Sequence, residues 1–455
     1  MSAAQIITGI RKKLAAQALA VLVSTLATTT LLRLGSNLVL TRLLAPEAFG
    51  IIGVLAAIST VLQLLTDMGF KAFVIRMQES VDKRFLNVIW TIRLFRSLIL
   101  TAIMFASADL LAAAFDKAEL AAPIRAASLL FAFEGLISLH PMIAQRQQRV
   151  SYISAVEFAA YLIQLVATII ACIYLRSFWG ILVGMYVFAV TNVLFSYLLY
   201  PGGFHAIAFD RKVSRDLWNF ARFVVLSSII TIVLGQADRI FIGRALSLEA
   251  LGLYMLALSF TSAARSLIES YCGKVLFPFF AETFRTAPEK LNGLFYSARR
   301  RMMLTLAFLL GGGIGGGTLI VRILLDERYL GAGLYLSILC LGPLFMLYRR
   351  PAENIMFAKG RIRSTLESNI ASLLWIIVAA PAGYHFFGVI GLVAAFALID
   401  AAAAAYWAVN LGRTGVLQAR EEAYILGAAL LGAAIGFGAD RLAIRLIETG
   451  VIPSF

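Results

Sequence analysis

Charge is what this sequence has least of. Only 14% of its 455 residues are Asp, Glu, Lys or Arg, against 61% hydrophobic, and the mean hydropathy is +0.87. That is more apolar side chain than a soluble core of this length can hide, so a sizeable soluble domain and most soluble enzyme folds are excluded. Cysteine is scarce. Cys172, Cys272 and Cys340 are odd in number and sit in apolar stretches, which leaves no basis for a disulfide framework or a thiolate metal site. Three histidines, His140, His205 and His385, assemble no serine–histidine–acid set, and neither a Walker A loop nor HExxH is present. No cofactor, metal site or catalytic residue is therefore expected. Acidic residues are also few, 25 against 40 Lys and Arg, for a formal charge of +15. In a chain this apolar the excess points to basic cytoplasmic loops facing anionic membrane lipid, and nucleic acid is not an expected partner.

What remains is an all-α polytopic membrane protein. About 20 apolar residues cross the hydrocarbon, and with loops the length allows about thirteen helices. Spans are expected near 14–41, 49–74, 85–108, 120–144, 152–175 and 178–200, then 222–245, 249–276, 300–325, 331–358, 364–386 and 388–411. A thirteenth near 423–445 is weakened by Asp440, Arg441 and Arg445. The apolar run after Arg11-Lys12-Lys13 is too long for a signal-peptide core and reads as an uncleaved first helix. Alternate loops carry the cations: Arg76, Lys83 and Arg84; Arg146 and Arg149; Arg211, Lys212, Arg215 and Arg222; Arg285, Lys290 and Arg299 to Arg301; Lys359, Arg361 and Arg363; Arg413 and Arg420. The opposite loops offer Arg42, Lys117, Arg176, Arg244 and Arg328. The bias of short loops toward positive charge inside the cell then predicts a cytoplasmic N-terminus.

The chain echoes itself. At an offset of about 202 residues, TRLLAPEAFGIIG (41–53) superposes on GRALSLEALGLYM (243–255), so that Arg42 meets Arg244, Glu47 meets Glu249 and Gly50 meets Gly252. FWGILVG (178–184) is echoed by FFGVIGL (386–392). Six spans separate the copies, an even number, which makes them parallel repeats. The expected organisation is an N-terminal six-helix bundle (1–200), a cytoplasmic linker (201–221), a second six-helix bundle (222–412) and an additional C-terminal helix (413–455). Two such bundles around a central cavity are a transporter's architecture.

Ionisable side chains inside spans are costly and tend to face a wet interior. The cations Arg33, Arg93, Arg96, Arg239, Arg265, Arg349 and Arg350 are the candidates to bind an anionic substrate, because a guanidinium fork matches phosphate oxygens. Arg265 with Glu269, and Arg349 with Glu353, are four apart on one helix face and are expected to pair along it. Arg93 and Arg96 have no acid on their own helix; either Asp67 or Glu134 answers them across helices or they await an anion. Asp67, Glu134, Glu157 and Asp400 are the candidates for coupling H⁺ or Na⁺. Pro351 predicts a kink lining the cavity, Pro141 beside His140 is a further weak point or close-packing site, and the run GGGIGGG (311–317) reads as close packing before it reads as a hinge.

The segment LVLTRLLAPEAFGIIGVLAAISTVLQLLTDMGFKAFVIRM (38–77), with its R-x-L-x-P-E-x-F-G block and TDMG (66–69), resembles the opening helices of the oligosaccharide flippases of the polysaccharide transporter family. That family belongs to the multidrug/oligosaccharidyl-lipid/polysaccharide superfamily. The basic turn QRQQR (145–149) and AKGRIR (358–363) fit the same pattern, and the likeness covers about the first 410 residues. It implies a multi-pass protein of the bacterial inner membrane that carries undecaprenyl-diphosphate-linked oligosaccharide units across for O-antigen, capsule or exopolysaccharide assembly, by alternating access and alongside other assembly proteins. Alternatives are a peptidoglycan-precursor or drug exporter of the same superfamily, a membrane glycan polymerase or ligase, or a non-transporting scaffold.

Overall fold

The computed structural model describes residues 28, 32–76, 82–147, 149–361 and 363–449, so most of the expected first span lies outside the described residues. Every regular element among them is a helix. Nine are long and apolar enough to cross a membrane, or ten if one bent pair counts as a span. Large side chains such as Leu110, Tyr174, Phe386 and Phe387 lie open on the outside, where lipid rather than water makes them stable. The protein is thus an all-helical, multi-pass membrane protein. All three cysteines are free and buried.

Packing divides the chain into two units, Met1–Leu44 with Ile51–Arg244, and Ala45–Gly50 with Ala245–Phe455. The first contains α1 (32–43), most of α2 (Pro46–Leu65), α3 (Phe70–Arg76), α4 (Lys83–Ala106), α5 (Ala108–Ala114), α6 (Ala121–Leu136), α7 (His140–Arg146), α8 (Val150–Leu175), α9 (Phe178–Leu198) and nearly all of α10 (Arg211–Ala245). Two expected spans are broken here. The second parts into α2 and α3 at TDMG, where the Asp67 carboxylate accepts from Gly69 N–H at 2.8 Å and Gly69 takes φ +66°, a conformation glycine adopts without strain. The fourth parts into α6 and α7 with a bend of 58°, Pro141 standing in the first turn of α7, where its missing N–H costs nothing.

The second unit contains α11 (Leu248–Tyr271), α12 (Phe277–Thr286), α13 (Leu291–Leu324), α14 (Ala332–Leu339), α15 (Leu341–Ala358), α16 (Arg363–Ala397), α17 (Ile399–Arg413) and α18 (Ala419–Glu448). A π-turn, Cys272–Leu276, joins α11 to α12. The expected spans 364–386 and 388–411 appear as the two sides of Gly388, which at φ +60°, ψ −144° interrupts α16. Pro351, by contrast, lies inside α15 without ending it. The duplicated motif is visible in the helices, since α1 ends at 43 and α10 at 245 and the next helix starts at 46 and at 248. Within the second unit, the stretch Ala45–Gly50 packs against the first turn of α11. A Cβ on Gly50 would lie 2.1 Å from the Leu248 carbonyl oxygen, and one on Gly252 would lie 1.8 Å from that of Pro46.

The C-terminal segment is a 30-residue helix that lies directly against α13. Cβ atoms on Gly311 and Gly315 would meet the carbonyl oxygens of Ala429 and Ala433 at 2.0 Å each, and one on Gly432 would meet that of Phe308 at 2.1 Å. The GGGIGGG run therefore lets two backbones touch, the usual service of small residues where lipid removes the hydrophobic drive between helices. Gly432→Leu is expected to lower stability by about 1–3 kcal/mol through overpacking. Gly427→Leu, on the same helix with nothing within 4 Å among the described residues, is expected to change it little; thermal unfolding of the two purified variants makes the comparison.

Candidate functional site

The first unit holds a polar cavity of about 250 Å³ whose lining includes Gln63, Asp67, Lys71, Arg93, Arg96 and Glu134. It is built from the two helix breaks. Wherever a helix ends, its last carbonyls lack partners and carry partial negative charge. Arg93 and Arg96, one turn apart on the unbroken α4, each answer one such end. Arg96 donates from Nη2 to the Gln63 carbonyl at 2.9 Å, and from Nε and Nη2 to Thr66 Oγ1 at 3.1 and 2.9 Å, holding the end of α2. Arg93 is buried and donates from Nη2 to the Glu134 carbonyl at 2.7 Å and more weakly from Nη1 to Ile137 at 3.5 Å, holding the end of α6. Neither makes an ion pair within 4 Å among the described residues. The Glu134 carboxylate instead accepts from Gln63 Nε2 at 3.0 Å, and that of Asp67 is engaged with Gly69. The lining thus sets three cations against two carboxylates, and both guanidiniums are held by dipoles, which position them without cancelling their charge.

The break in the fourth span is held from its other side by the linker. His205 Nε2 accepts from Leu139 N–H at 3.1 Å, and its Nδ1 faces Asn87 Oδ1 at 3.3 Å. The ring stacks on His140 and Trp90. Burial first, then the nearby positive charge of His140, Arg93 and Lys83, pushes the imidazole down to about 4 from its usual 6.5. The folded protein therefore keeps His205 neutral where the unfolded chain binds a proton. The stability this contributes is complete above about pH 6.5 and is lost as pH falls toward 4. The melting temperature is expected to drop between pH 7 and pH 5, and to drop less in His205→Asn, which keeps an acceptor but does not titrate.

The second unit treats its cations differently. Asp400, only 2% exposed, receives Arg349 Nη1 on Oδ1 at 2.7 Å and Arg265 Nη2 on Oδ2 at 2.8 Å. Arg349 Nη2 also donates to Asn369 Oδ1 at 3.2 Å. Arg350 pairs with Glu353 at 3.0 Å and Glu269 at 3.1 Å. The pairing expected along α11 and α15 at four-residue spacing is thus replaced. Arg265 and Arg349 both turn to α17, where one carboxylate serves two guanidiniums, and Glu269 and Glu353 converge on Arg350. Three guanidiniums meet three carboxylates, and the cluster is neutral.

A family model described as polysaccharide biosynthesis protein matches residues 39–332, well over half of the chain. The chain belongs to the polysaccharide biosynthesis protein family. Among curated relatives of this family member, the teichuronic acid biosynthesis protein TuaB of Bacillus subtilis is 21% identical over 300 residues, 66% of this chain and 62% of TuaB. The lipopolysaccharide biosynthesis protein WzxC of Escherichia coli is 23% identical over 387 residues, 83% of this chain and 77% of WzxC. Among solved structures, the lipid II flippase MurJ in an inward closed conformation superposes with a TM-score of 0.70 at 13% identity, over 90% of each chain. An inward-facing multidrug resistance MATE transporter of the MOP superfamily gives 0.62, over 92% of this chain and 96% of that one. At such identities the superpositions establish a shared fold.

Within this family member, Asp67, Arg93, Arg96 and Glu134 come together in one cavity, and Arg265, Arg349 and Asp400 in one node. Arg33 lies exposed on α1 and Glu157 exposed on α8. Arg239 donates to Gln236 Oε1 at 3.1 Å on its own helix. Sequence reasoning passed over Lys71 and placed Arg299 in a basic loop. Arg299 is instead completely buried in α13, paired with Glu422 of α18 and stacked by Phe295 and Tyr296, with ring centroids 4.4 and 4.6 Å from Cζ. The signal available was FYSAR (295–299), two aromatics one turn before a cation on a helix.

Proposed function

We propose that this protein moves undecaprenyl-diphosphate-linked oligosaccharide repeat units from the cytoplasmic to the periplasmic leaflet of the bacterial inner membrane by alternating access, for assembly of a surface polysaccharide. The cavity of the first unit grips the diphosphate. The observation that carries this reading is the pair Arg93 and Arg96, charged, preorganised and unanswered by any carboxylate ion pair among the described residues, in a cavity with an excess of cations. A pair of guanidinium forks suits a diphosphate and repels a cationic drug. The names of TuaB and WzxC, which place those relatives in teichuronic acid and lipopolysaccharide biosynthesis, support a glycan cargo. The glycan crosses in the wet interior while the prenyl chain stays in lipid, and a gradient of H⁺ or Na⁺ supplies the drive.

The test is chemical analysis of lipid extracts from cells lacking the gene. An undecaprenyl-diphosphate carrying a complete repeat unit is expected to accumulate, and restoring the gene is expected to clear it while surface polysaccharide returns. Lipid-linked intermediates identical in both strains would overturn the reading. Accumulation of fully polymerised, already translocated glycan would point to a ligase instead.

A further inference from the structure

Four residues in the cavity of the first unit form a closed circuit across three helices. Gln63, in the last turn of α2, accepts on its carbonyl from Arg96 Nη2 at 2.9 Å and donates from its side-chain Nε2 to the Glu134 carboxylate at 3.0 Å. Glu134, in the last turn of α6, accepts on its carbonyl from Arg93 Nη2 at 2.7 Å. The unbroken α4 closes the circuit by holding Arg93 and Arg96 one turn apart. All four residues line the cavity, so an anion entering it meets them directly.

The order of the contacts keeps opposite charges apart. Among the described residues the guanidiniums donate to uncharged acceptors, three carbonyls and the Thr66 hydroxyl. The carboxylates accept from uncharged donors, Glu134 from the Gln63 amide and Asp67 from Gly69 N–H. Yet Glu134 is the opposite charge that acts most strongly on both guanidiniums. A half-buried carboxylate so placed ordinarily closes onto a guanidinium, because that contact is charge-assisted on both sides. An amide at position 63 satisfies the carboxylate without bringing charge. A Lys or Arg there would cancel it, and an apolar side chain would leave it to find another donor.

We infer that Gln63 is a positioning residue for the anion grip: by holding the Glu134 carboxylate it keeps Arg93 and Arg96 clear of an internal counter-ion, so that a diphosphate has no carboxylate to displace. The inference rests on the transport reading above and adds to it the residue that keeps the grip open. Where a carboxylate already occupies a guanidinium, an arriving phosphate gains only the difference between two charge-assisted contacts. Where carbonyls hold the guanidinium, its charge is uncancelled and the phosphate exchanges a weaker contact for a stronger one. Gln63 supports both halves of this arrangement, its backbone fixing Arg96 and its side chain fixing Glu134.

Calorimetric titration of the purified full-length protein with farnesyl diphosphate measures the grip. Gln63→Leu, which removes the donor at similar volume, is expected to weaken binding about ten- to a hundredfold. Glu134→Gln is expected to bind at least as tightly as the wild type, and Gln63→Leu combined with Glu134→Gln to return to wild-type affinity, because no carboxylate then remains to be held off. A loss due only to disturbed packing would persist in the double variant. Unchanged binding in Gln63→Leu, or no recovery in the double variant, would overturn the positioning role and leave the diphosphate grip standing. A wild type that does not bind farnesyl diphosphate would overturn the grip and this inference with it. Should Gln63→Leu not accumulate, an exchange of the two side chains serves. Gln63→Glu sets two carboxylates face to face and is expected to bind weakly, whereas Gln63→Glu with Glu134→Gln keeps one amide, one carboxylate and the same net charge, and is expected to recover most of the affinity. Equal binding by these two proteins would count against the proposal.

Discussion

Replacing Arg93 and Arg96 together by alanine is expected to reduce surface polysaccharide to the level of a strain lacking the gene, with the protein still present in the membrane. Each guanidinium offers a phosphate a charge-assisted contact worth about 1.5–3 kcal/mol, so losing one costs roughly ten- to a hundredfold in binding and losing both removes the grip. The single variants separate position from structure. Arg96 holds the Thr66 hydroxyl and one carbonyl at the end of α2, and Arg96→Ala is expected to lower export with little effect on melting. Arg93 is buried over the end of α6, and Arg93→Ala leaves enclosed carbonyls without a donor, so both export and melting temperature should fall. Arg93→Lys keeps the charge without the planar fork and should recover less than half of the export. Normal polysaccharide in the double variant, at normal protein abundance, would remove the phosphate grip from this cavity.

The largest effect on stability is expected at Glu422→Ala. Arg299 has no exposed surface, and among the described residues its Nε and Nη1 have no hydrogen-bond partner, which leaves the Glu422 carboxylate and two aromatic faces to compensate its charge. Removing one partner of a buried pair leaves the other uncompensated, at a cost of about 3–5 kcal/mol. Tyr296, whose hydroxyl donates to the same carboxylate at 2.9 Å and accepts from Gln418 N–H, loses its anchor in the same step. The double replacement Arg299→Met with Glu422→Met removes both charges at similar volume and should recover most of the loss. Thermal unfolding of the three proteins decides it. A Glu422→Ala protein that melts with the wild type would mean that the aromatic stack alone is sufficient to hold Arg299.

Which residues share a site was harder to read than which residues are costly. Arg93 and Arg96 stand out in sequence because no acid lies on their helix, and that much survives in three dimensions. Their actual partners are backbone carbonyls and the Thr66 hydroxyl at two helix ends, and no spacing rule reveals these, because the ends exist only where TDMG and the segment before His140-Pro141 interrupt spans far away in the chain. Arg265 and Arg349 carry acids at the favourable spacing, yet both choose Asp400, 135 and 51 residues away. A helix-face argument considers one helix at a time, whereas an almost wholly buried carboxylate such as Asp400 must be compensated by whichever guanidiniums the fold brings to it. Arg299 was misplaced for a related reason: a basic run, RRR (299–301), looks like a loop until one of its members is found facing inward.

From composition and pattern alone came the membrane, the approximate spans, the repeated helix boundary at TRLLAPEAFG and GRALSLEALG, and the close-packing role of the glycine run. These follow from quantities that act locally along the chain, namely the cost of exposing apolar length to water and the backbone freedom of single residues. Which charges are cancelled and which remain available was settled only by folding. In a medium of low polarity an ion's energy depends on the few groups within several ångströms, and in this protein those groups come from helices that the linear order keeps apart.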